Sequence, residues 1–221
     1  MHKLSLLFLA AGIAALSSCT NAPKADKAEA TDAKAAATAT GATYKVDVAQ
    51  SAVNFVGAAP THQHNGTFMI KDGNIMADNN TITGGKLTID VASMKIVDKD
   101  TSGSAKLTGH LSSPDFFDVA KNPTAMFEIT GVKAGVDTAA FKDLVMKDAT
   151  HTVTGNLTLK GTSKSITFPA KIAMAGNGIT TDANFNIDRT QWGMSYGNDN
   201  SLGDKMIRPL VNIQLHIVAS K

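Results

Sequence analysis

Cys19 has the most specific chemistry in this 221-residue chain, because it is the single cysteine. It follows a basic start at His2 and Lys3, an apolar run over residues 4–15, and a Leu-Ser-Ser sequence. The run is too short to cross roughly 30 Å of hydrocarbon as a helix, and the three-part pattern is typical of a secretory signal peptide. No second cysteine is present to form a disulfide, so Cys19 is either an ordinary thiol in a segment that is removed or a site of lipidation, and the sequence favours lipidation.

The histidines form a second group with possible chemistry. His62 and His64 are two residues apart and therefore share one face if they lie on a strand. With His110 or His151, their imidazole nitrogens would suit a metal such as zinc, so a metal-dependent enzyme is one alternative function. A His-x-His pair alone is weak evidence, and we predict no bound metal. The other interpretations are a polar contact at the mouth of a binding site and solvent-exposed histidines without a role.

Motifs of common catalytic sites are missing from the sequence. It has no Gly-x-Ser-x-Gly elbow, no phosphate-binding glycine loop and no cysteine beyond Cys19. The formal net charge of +2 gives no electrostatic footprint for nucleic acid. We therefore expect a protein that is not an enzyme, needs no cofactor and does not bind nucleic acid.

The Leu-Ser-Ser-Cys ending of the apolar segment resembles a bacterial lipobox. The resemblance implies that residues 1–18 are removed as a signal peptide and that Cys19 carries several acyl chains, which together give a stable membrane anchor. Thr20 follows the cysteine where sorting to the inner membrane would place an aspartate, so similarity to enterobacterial sorting implies the outer membrane. We expect a lipoprotein of the bacterial cell envelope whose domain faces the periplasm.

Residues 19–42 have the composition of a tether. They are rich in alanine, carry three lysines and three acidic residues, and contain no Leu, Ile, Val or aromatic side chain. With nothing large and apolar to bury, such a segment does not offset its ordering entropy, so we predict a flexible linker. As a random coil it would span about 25 Å and hold the following domain clear of the lipid headgroups.

Residues 43–221 suit one domain and show the pattern of a β-structure. Apolar and polar residues alternate along several runs, for example over residues 151–160, with glycine-containing turn signals between runs. A change of parity across Gly84 and Gly85 predicts a bulge that bends a long strand, as a closing sheet requires. We predict an all-β, antiparallel barrel with a short helical excursion around residues 104–120.

Motifs along this domain resemble those of the YceI-like family. They are YKVD at 44–47, SAVNF at 51–55, GHLSSPDFFDV at 109–119, NPTAMF at 122–127, VTGNLTLKG at 153–161 and FNIDR at 185–189. The resemblance implies a lipocalin-like barrel around an apolar tunnel that binds long isoprenoid chains or similar amphiphiles. It makes an isoprenoid or fatty-acyl lipid the expected ligand, held for storage or transfer, and it leaves open whether the protein forms a homodimer.

Strand parity predicts which side chains line the barrel. Small barrels are usually filled by their inward side chains, so the residues alone leave a ligand tunnel and a packed core both open. A packed barrel would fit an envelope-stress interaction module that has no lipid ligand. The expected lining, with aromatic residues that cover one end, is Val53, Phe55, Phe68, Ile70, Leu87, Ile89, Phe116, Phe117, Phe127, Ile129, Leu157, Leu159, Ile166, Phe168, Phe185, Ile187, Trp192, Ile213 and Leu215.

Polar residues are expected at the mouth of the barrel. Arg189 has inward parity, and a buried guanidinium needs a partner, for which Asp115 and Asp118 are the candidates. Such a pair would pin the helical segment to the barrel, whereas a free Arg189 would contact a ligand headgroup. The expected mouth residues are His62, His64, His110 and Arg189.

Overall fold

The computed structural model describes residues 22–221. The predicted signal peptide and the predicted lipidation site, Cys19, lie outside the described residues. One α-helix, α1 (Ser104–Ser112), and two 3₁₀ helices, Arg189–Trp192 and Asn200–Lys205, occur among these residues. The strands are β1 (Asp26–Lys27), β2 (Thr31–Asp32), β3 (Ala42–Val46), β4 (Ala52–Ala58), β5 (Gln63–Asp78), β6 (Thr81–Ile96), β7 (Thr124–Ala134), β8 (His151–Leu159), β9 (Thr162–Ala175), β10 (Gly178–Asp188) and β11 (Leu210–Ser220).

The eight strands from β4 to β11 form a closed barrel. Each pairs antiparallel with the next along the chain, and β11 returns to pair with β4, Ile213 opposite Phe55. The predicted all-β antiparallel barrel is confirmed, and α1 lies within the predicted helical excursion. Closure leaves these strands without long free edges, which is how antiparallel sheets avoid pairing with other chains.

The long hairpin of β5 and β6 bends because its pairing shifts three times. One shift leaves Thr83 without a partner, since Gly84 pairs with Met76 and Ile82 pairs with Ala77. The bulge predicted at the glycine pair therefore lies one residue earlier. An unpaired residue of this kind increases the local twist and curves the strand around the barrel.

The two halves of the barrel differ in how they are filled. The half away from α1, which we call the far half, contains a packed hydrophobic core. Tyr44, Val46, Ala170, Ile179 and Ala219 are buried there in one hydrophobic core, the last three with no exposed surface. The half beside α1 and the 3₁₀ helices, which we call the α1 half, contains an open space.

Residues 23–40 form a strap that fills a gap in the barrel wall with β1 and β2 and then continues across the barrel to Thr83. β1 pairs in parallel with β10, Asp26 opposite Phe185, and β2 pairs with β9, Thr31 opposite Ser165. β9 and β10 pair with each other only up to Ala183, so the strap occupies the place where they separate. This differs from the flexible linker expected for residues 19–42.

Polar contacts and small side chains fix the strap. The Asp26 carboxylate accepts hydrogen bonds from the backbone N–H groups of Val145 and Met146, each at 2.9 Å. Ala28 is 2% exposed and belongs to the hydrophobic core. The strap is thus held by main-chain pairing and by the buried methyl group of Ala28. These contacts take the place of the large apolar side chains whose absence from residues 19–42 predicted a flexible linker.

Candidate functional site

The α1 half of the barrel encloses an apolar cavity of about 170 Å³. Its wall is built from the adjoining halves of the barrel strands, and residues next to α1 close one side. Most of the predicted lining lies on this wall. These residues are Val53, Phe55, Phe68, Leu87, Ile89, Phe116, Phe117, Phe127, Leu157, Leu159, Ile166, Phe168, Phe185, Ile187, Ile213 and Leu215.

Glycines in the wall allow aromatic rings to lie back from the centre. A Cβ atom on Gly66 would overlap the ring of Phe55, which lies on the neighbouring strand, and one on Gly155 would overlap the ring of Phe127. A glycine inside a strand often marks such a close approach. Because the two rings rest on backbone, the axis of the α1 half stays open.

Three residues of the predicted lining lie elsewhere. Ile70 is 2% exposed and packs in the core between two register shifts of β5. Ile129, half-buried, packs against the core at the register shift of β7. Trp192 is 1% exposed, and its Nε1 donates to the carbonyl oxygen of Leu157 at 3.0 Å. Parity alone does not locate residues at register shifts or beyond strand ends.

The cavity wall also contains residues that the sequence analysis did not assign to it. Val91, Ala125 and Val211 continue the alternation of predicted strands, so their signal was present. Gly57 also has the parity of Val53 and Phe55, but it has no side chain to give a signal. The others come from α1 and the segment between β10 and β11, where no period-two pattern exists. The complete additional set is Gly57, Val91, Leu111, Ala125, Met194, Ile207, Arg208 and Val211.

Arg189 lies in the wall and is 3% exposed. Its guanidinium donates to the carbonyl oxygens of Met194, of Tyr196 at 2.8 Å, of Ile207 at 2.9 Å and of Arg208 at 3.2 Å. These bonds hold the segment between β10 and β11 against the barrel.

The expected carboxylate partners of Arg189 are engaged elsewhere. Asp115 lies 3.2 Å from His110, and Asp118 lies 3.2 Å from Lys121. Burial lowers the pKa of Arg189, and the charge of Asp188 acts in the opposite direction. The expectation of an ion pair with Asp115 or Asp118 is therefore wrong; backbone carbonyls replace it.

The predicted mouth histidines do not line the cavity. His62 and His64 face each other at the start of β5 with ring centroids 5.0 Å apart, and His64 Nδ1 lies 2.6 Å from Asp98. His110 packs its ring against Phe116 and Tyr196, with centroids 5.0 and 4.7 Å away. His64 and His110 border a polar groove beside α1 instead.

Two further findings concern metals and membranes. Within residues 22–221, no three His, Cys, Asp or Glu side chains come close enough together to hold a metal ion. His151, the alternative third ligand, lies at the start of β8, whereas Leu159 at the other end of that strand reaches the cavity.

The part of the chain that the structure describes contains no helix with the length and hydropathy needed to cross a bilayer.

Comparison with known proteins adds three relatives. A UPF0312 protein of Pseudomonas paraeruginosa is 37% identical over 112 residues, which are 51% of this chain and 50% of that protein. The chain thus spans about half the length of this curated relative. The crystal structure of Burkholderia cenocepacia BcnA is 26% identical with a TM-score of 0.58, over 79% of this chain and 99% of that one.

The third relative supports the fold alone, because it is only 19% identical. It is a polyisoprenoid binding domain from Saccharophagus degradans implicated in plant cell wall breakdown, with a TM-score of 0.58 over 80% of this chain and 97% of that one. The sequence pattern of the YceI-like domain matches residues 44–219, from β3 to the end of β11. That match covers most of the chain and every barrel strand, so this protein belongs to the YceI-like family.

Proposed function

We propose that this protein binds one apolar chain, isoprenoid or fatty acyl, with the end of the chain inside the cavity. The observation that carries the proposal is the cavity itself, whose wall is aliphatic and aromatic except at two arginines. The structural neighbour from Saccharophagus degradans is a polyisoprenoid binding domain, and our proposal extends that class of ligand to this chain. Binding of such a chain without a covalent step is the activity of a carrier or a store.

The size of the cavity sets how much of a chain it encloses. A cavity of roughly 150 Å³ lined by aliphatic and aromatic side chains is known to hold benzene, so a space of about 170 Å³ suits one or two isoprene units without rearrangement. Each buried methylene contributes about 0.8 kcal/mol, so eight give roughly 6 kcal/mol before ordering costs. The ligand is therefore held reversibly, as transfer requires.

We further infer that Cys19 is acylated and holds the barrel on the periplasmic side of the outer membrane. The strap supports a close attachment, because Asn186 donates to the carbonyl oxygen of Pro23 at 3.0 Å. Cys19 then lies four residues before the attached Pro23, and four residue steps span at most about 14 Å. The anchor thus keeps the barrel near the bilayer that would supply or receive the chain.

Native mass spectrometry tests the binding proposal. The sample is residues 20–221, which include every described residue, secreted by a bacterium behind a cleavable leader and purified without detergent. We expect an added mass that extracts into organic solvent as a long-chain lipid. A bare mass, still bare after incubation with geranylgeraniol and palmitate, would contradict the proposal.

Matched variants place the lipid inside the cavity. Leu157→Gln puts an amide on the cavity wall, whereas Thr158→Gln makes a comparable change at the next position of β8, which is absent from that wall. We expect the first variant to lose the added mass and the second to keep it. Equal retention by both would show that the lipid binds elsewhere.

Radioactive palmitate incorporation tests the anchor separately. We expect label on the wild-type chain and none on Cys19→Ser. An unlabelled wild-type chain would refute the anchor and leave the binding result unaffected.

A further inference from the structure

We propose that the chain held in the cavity carries an anionic headgroup, a carboxylate or a phosphate, and that Arg208 binds it. This inference rests on the proposed lipid-binding function and adds the class of headgroup. It departs from the sequence analysis, which placed the polar mouth at three histidines and Arg189. The observations that carry it concern the number, position and partners of the arginines.

Arginine is used at only two positions in the whole chain, Arg189 and Arg208. Both line the apolar cavity, and no lysine does, although lysines supply all the other basic side chains. The guanidinium group is planar and offers a rigid fork of donors that matches carboxylate and phosphate oxygens, whereas an ammonium group is a point charge. The residue type suited to a charged headgroup thus occurs solely where a headgroup would lie.

Arg189 serves as the support of this site. Its four hydrogen bonds to carbonyl oxygens occupy most of its five N–H donors, and its guanidinium lies 5.5 Å from the ring centre of Phe116. The nearby carboxylate, Asp188, already accepts two hydrogen bonds from Thr190. Arg189 therefore adds positive charge to the wall and fixes the backbone of Arg208.

Arg208 has the free donors. Its backbone is held at both ends, because its N–H donates to the Ala58 carbonyl oxygen at 2.8 Å and its carbonyl accepts from Arg189. Its Nε is buried without a hydrogen-bond partner, and its Nη1 meets only the Met206 sulfur at 4.0 Å. An unpaired buried donor is costly and calls for an explanation, such as a ligand acceptor.

The two arginines lack the ion pairs that other basic residues form in the described part of the chain. Among residues 22–221, neither arginine has an Asp or Glu oxygen within 4.0 Å of its guanidinium nitrogens, whereas several lysines and histidines form such ion pairs. Arg189 is buried, whereas Arg208 is half-buried with its Nε enclosed. A buried positive charge is expensive unless an anion compensates it. The headgroup of a bound amphiphile would supply that anion, with its chain directed into the α1 half.

Paired ligands with identical chains and different headgroups test this inference. The probes are geranyl phosphate against geraniol, and decanoate against decanol, titrated into residues 20–221. Their chains of about ten carbons match the one or two isoprene units that the cavity encloses. The variants are Arg208→Gln and, as a control with the same loss of charge, Lys205→Gln, an exposed residue nearby that does not line the cavity. Arg208→Lys, which keeps the charge without the fork, provides a second variant if the glutamine variant folds poorly.

We expect the wild-type chain to bind at least one anionic probe about tenfold or more tightly than its neutral partner, as charge-assisted hydrogen bonds allow. Arg208→Gln should remove most of that preference, while Lys205→Gln should change neither the preference nor the affinity for the alcohols. A preference for phosphate identifies prenyl phosphates as the source, and one for carboxylate identifies fatty acids. Equal binding of charged and neutral probes would overturn the headgroup assignment and leave lipid binding intact, whereas no binding of any probe would overturn both.

Discussion

Asn156 forms two hydrogen bonds with the backbone of Lys34, which lies 122 residues away in the chain. The Lys34 N–H donates to Asn156 Oδ1 at 2.9 Å. Asn156 Nδ2 donates to the Lys34 carbonyl oxygen at 2.7 Å. The side-chain amide of a barrel strand thereby imitates a strand neighbour for the strap. Asn156 is 7% exposed because the strap covers it.

Asn156→Ala should therefore loosen the strap. Losing both bonds leaves two backbone groups of Lys34 without partners, at a cost of about 1–2 kcal/mol in the free energy of unfolding. Amide hydrogens of residues 26–34 should exchange faster, as measured by mass spectrometry. Asn54→Ala, at an exposed position of β4, is the control. Unchanged exchange in the strap of Asn156→Ala would show that β1 and β2 hold without this pairing.

Gly155→Ala should reduce the space in the cavity. The new methyl group would overlap the ring of Phe127, which borders the cavity, and would also come too close to the Glu128 carbonyl oxygen. Overpacking of this kind costs about 1–3 kcal/mol of stability, and the displaced ring should also weaken lipid binding. Fluorescent-lipid displacement and urea unfolding measure the two effects.

Gly131→Ala is the matched control, because a Cβ there meets no atom within 4 Å. If Gly155→Ala binds lipid as tightly as Gly131→Ala does, the ring of Phe127 does not define the cavity.

Affinity should depend on chain length in two stages. Each methylene that enters the cavity adds about 0.8 kcal/mol, and the gain should stop once the enclosed space is full. The packed far half, with Ile179 and Ala219 fully buried, blocks deeper entry. Calorimetry on fatty acids from hexanoic to octadecanoic should therefore show a steep rise followed by a plateau. A steep rise through octadecanoic acid would mean that the far half opens for the ligand.

His151 should make stability depend on pH. Burial lowers the pKa of this imidazole from its ordinary value of 6.5. Below pH 6.5 the unfolded chain therefore binds a proton that the folded chain resists, so stability is full above pH 6.5 and falls as the pH drops towards the folded-state pKa. The urea midpoints measured above and below pH 6.5 should differ less in His151→Gln than in the wild-type chain. His62→Gln, at an exposed position, should behave as the wild-type chain. Identical slopes for wild type and His151→Gln would contradict the assignment.

The barrel was predictable because its strands repeat one simple environment. In β8 and β10, every second residue faces the interior, and the period-two pattern of hydropathy records this directly. The pattern fails where the geometry changes, as at Ile70 and Ile129, which lie at register shifts. A register shift changes the direction in which the following side chains point, and the pattern of residue types does not reveal it.

The strap and the arginine site were not predictable from hydropathy. The strap is held by backbone pairing and by Ala28, whose small side chain carries little signal. Met194, Ile207 and Arg208 reach the cavity from an irregular segment that Arg189 folds back through its carbonyl contacts. Long-range contacts of this kind have no period along the chain and appear only in three dimensions.

The path of the strap has a practical consequence for cutting the protein into fragments. The region that matches the family begins at Tyr44, yet β1 and β2 complete the wall between β9 and β10 from upstream of that residue. A fragment trimmed to the family boundary would expose unpaired edges on both strands, and exposed edges recruit other chains. An expressed fragment that is to remain monodisperse should therefore begin before Pro23, well upstream of Tyr44.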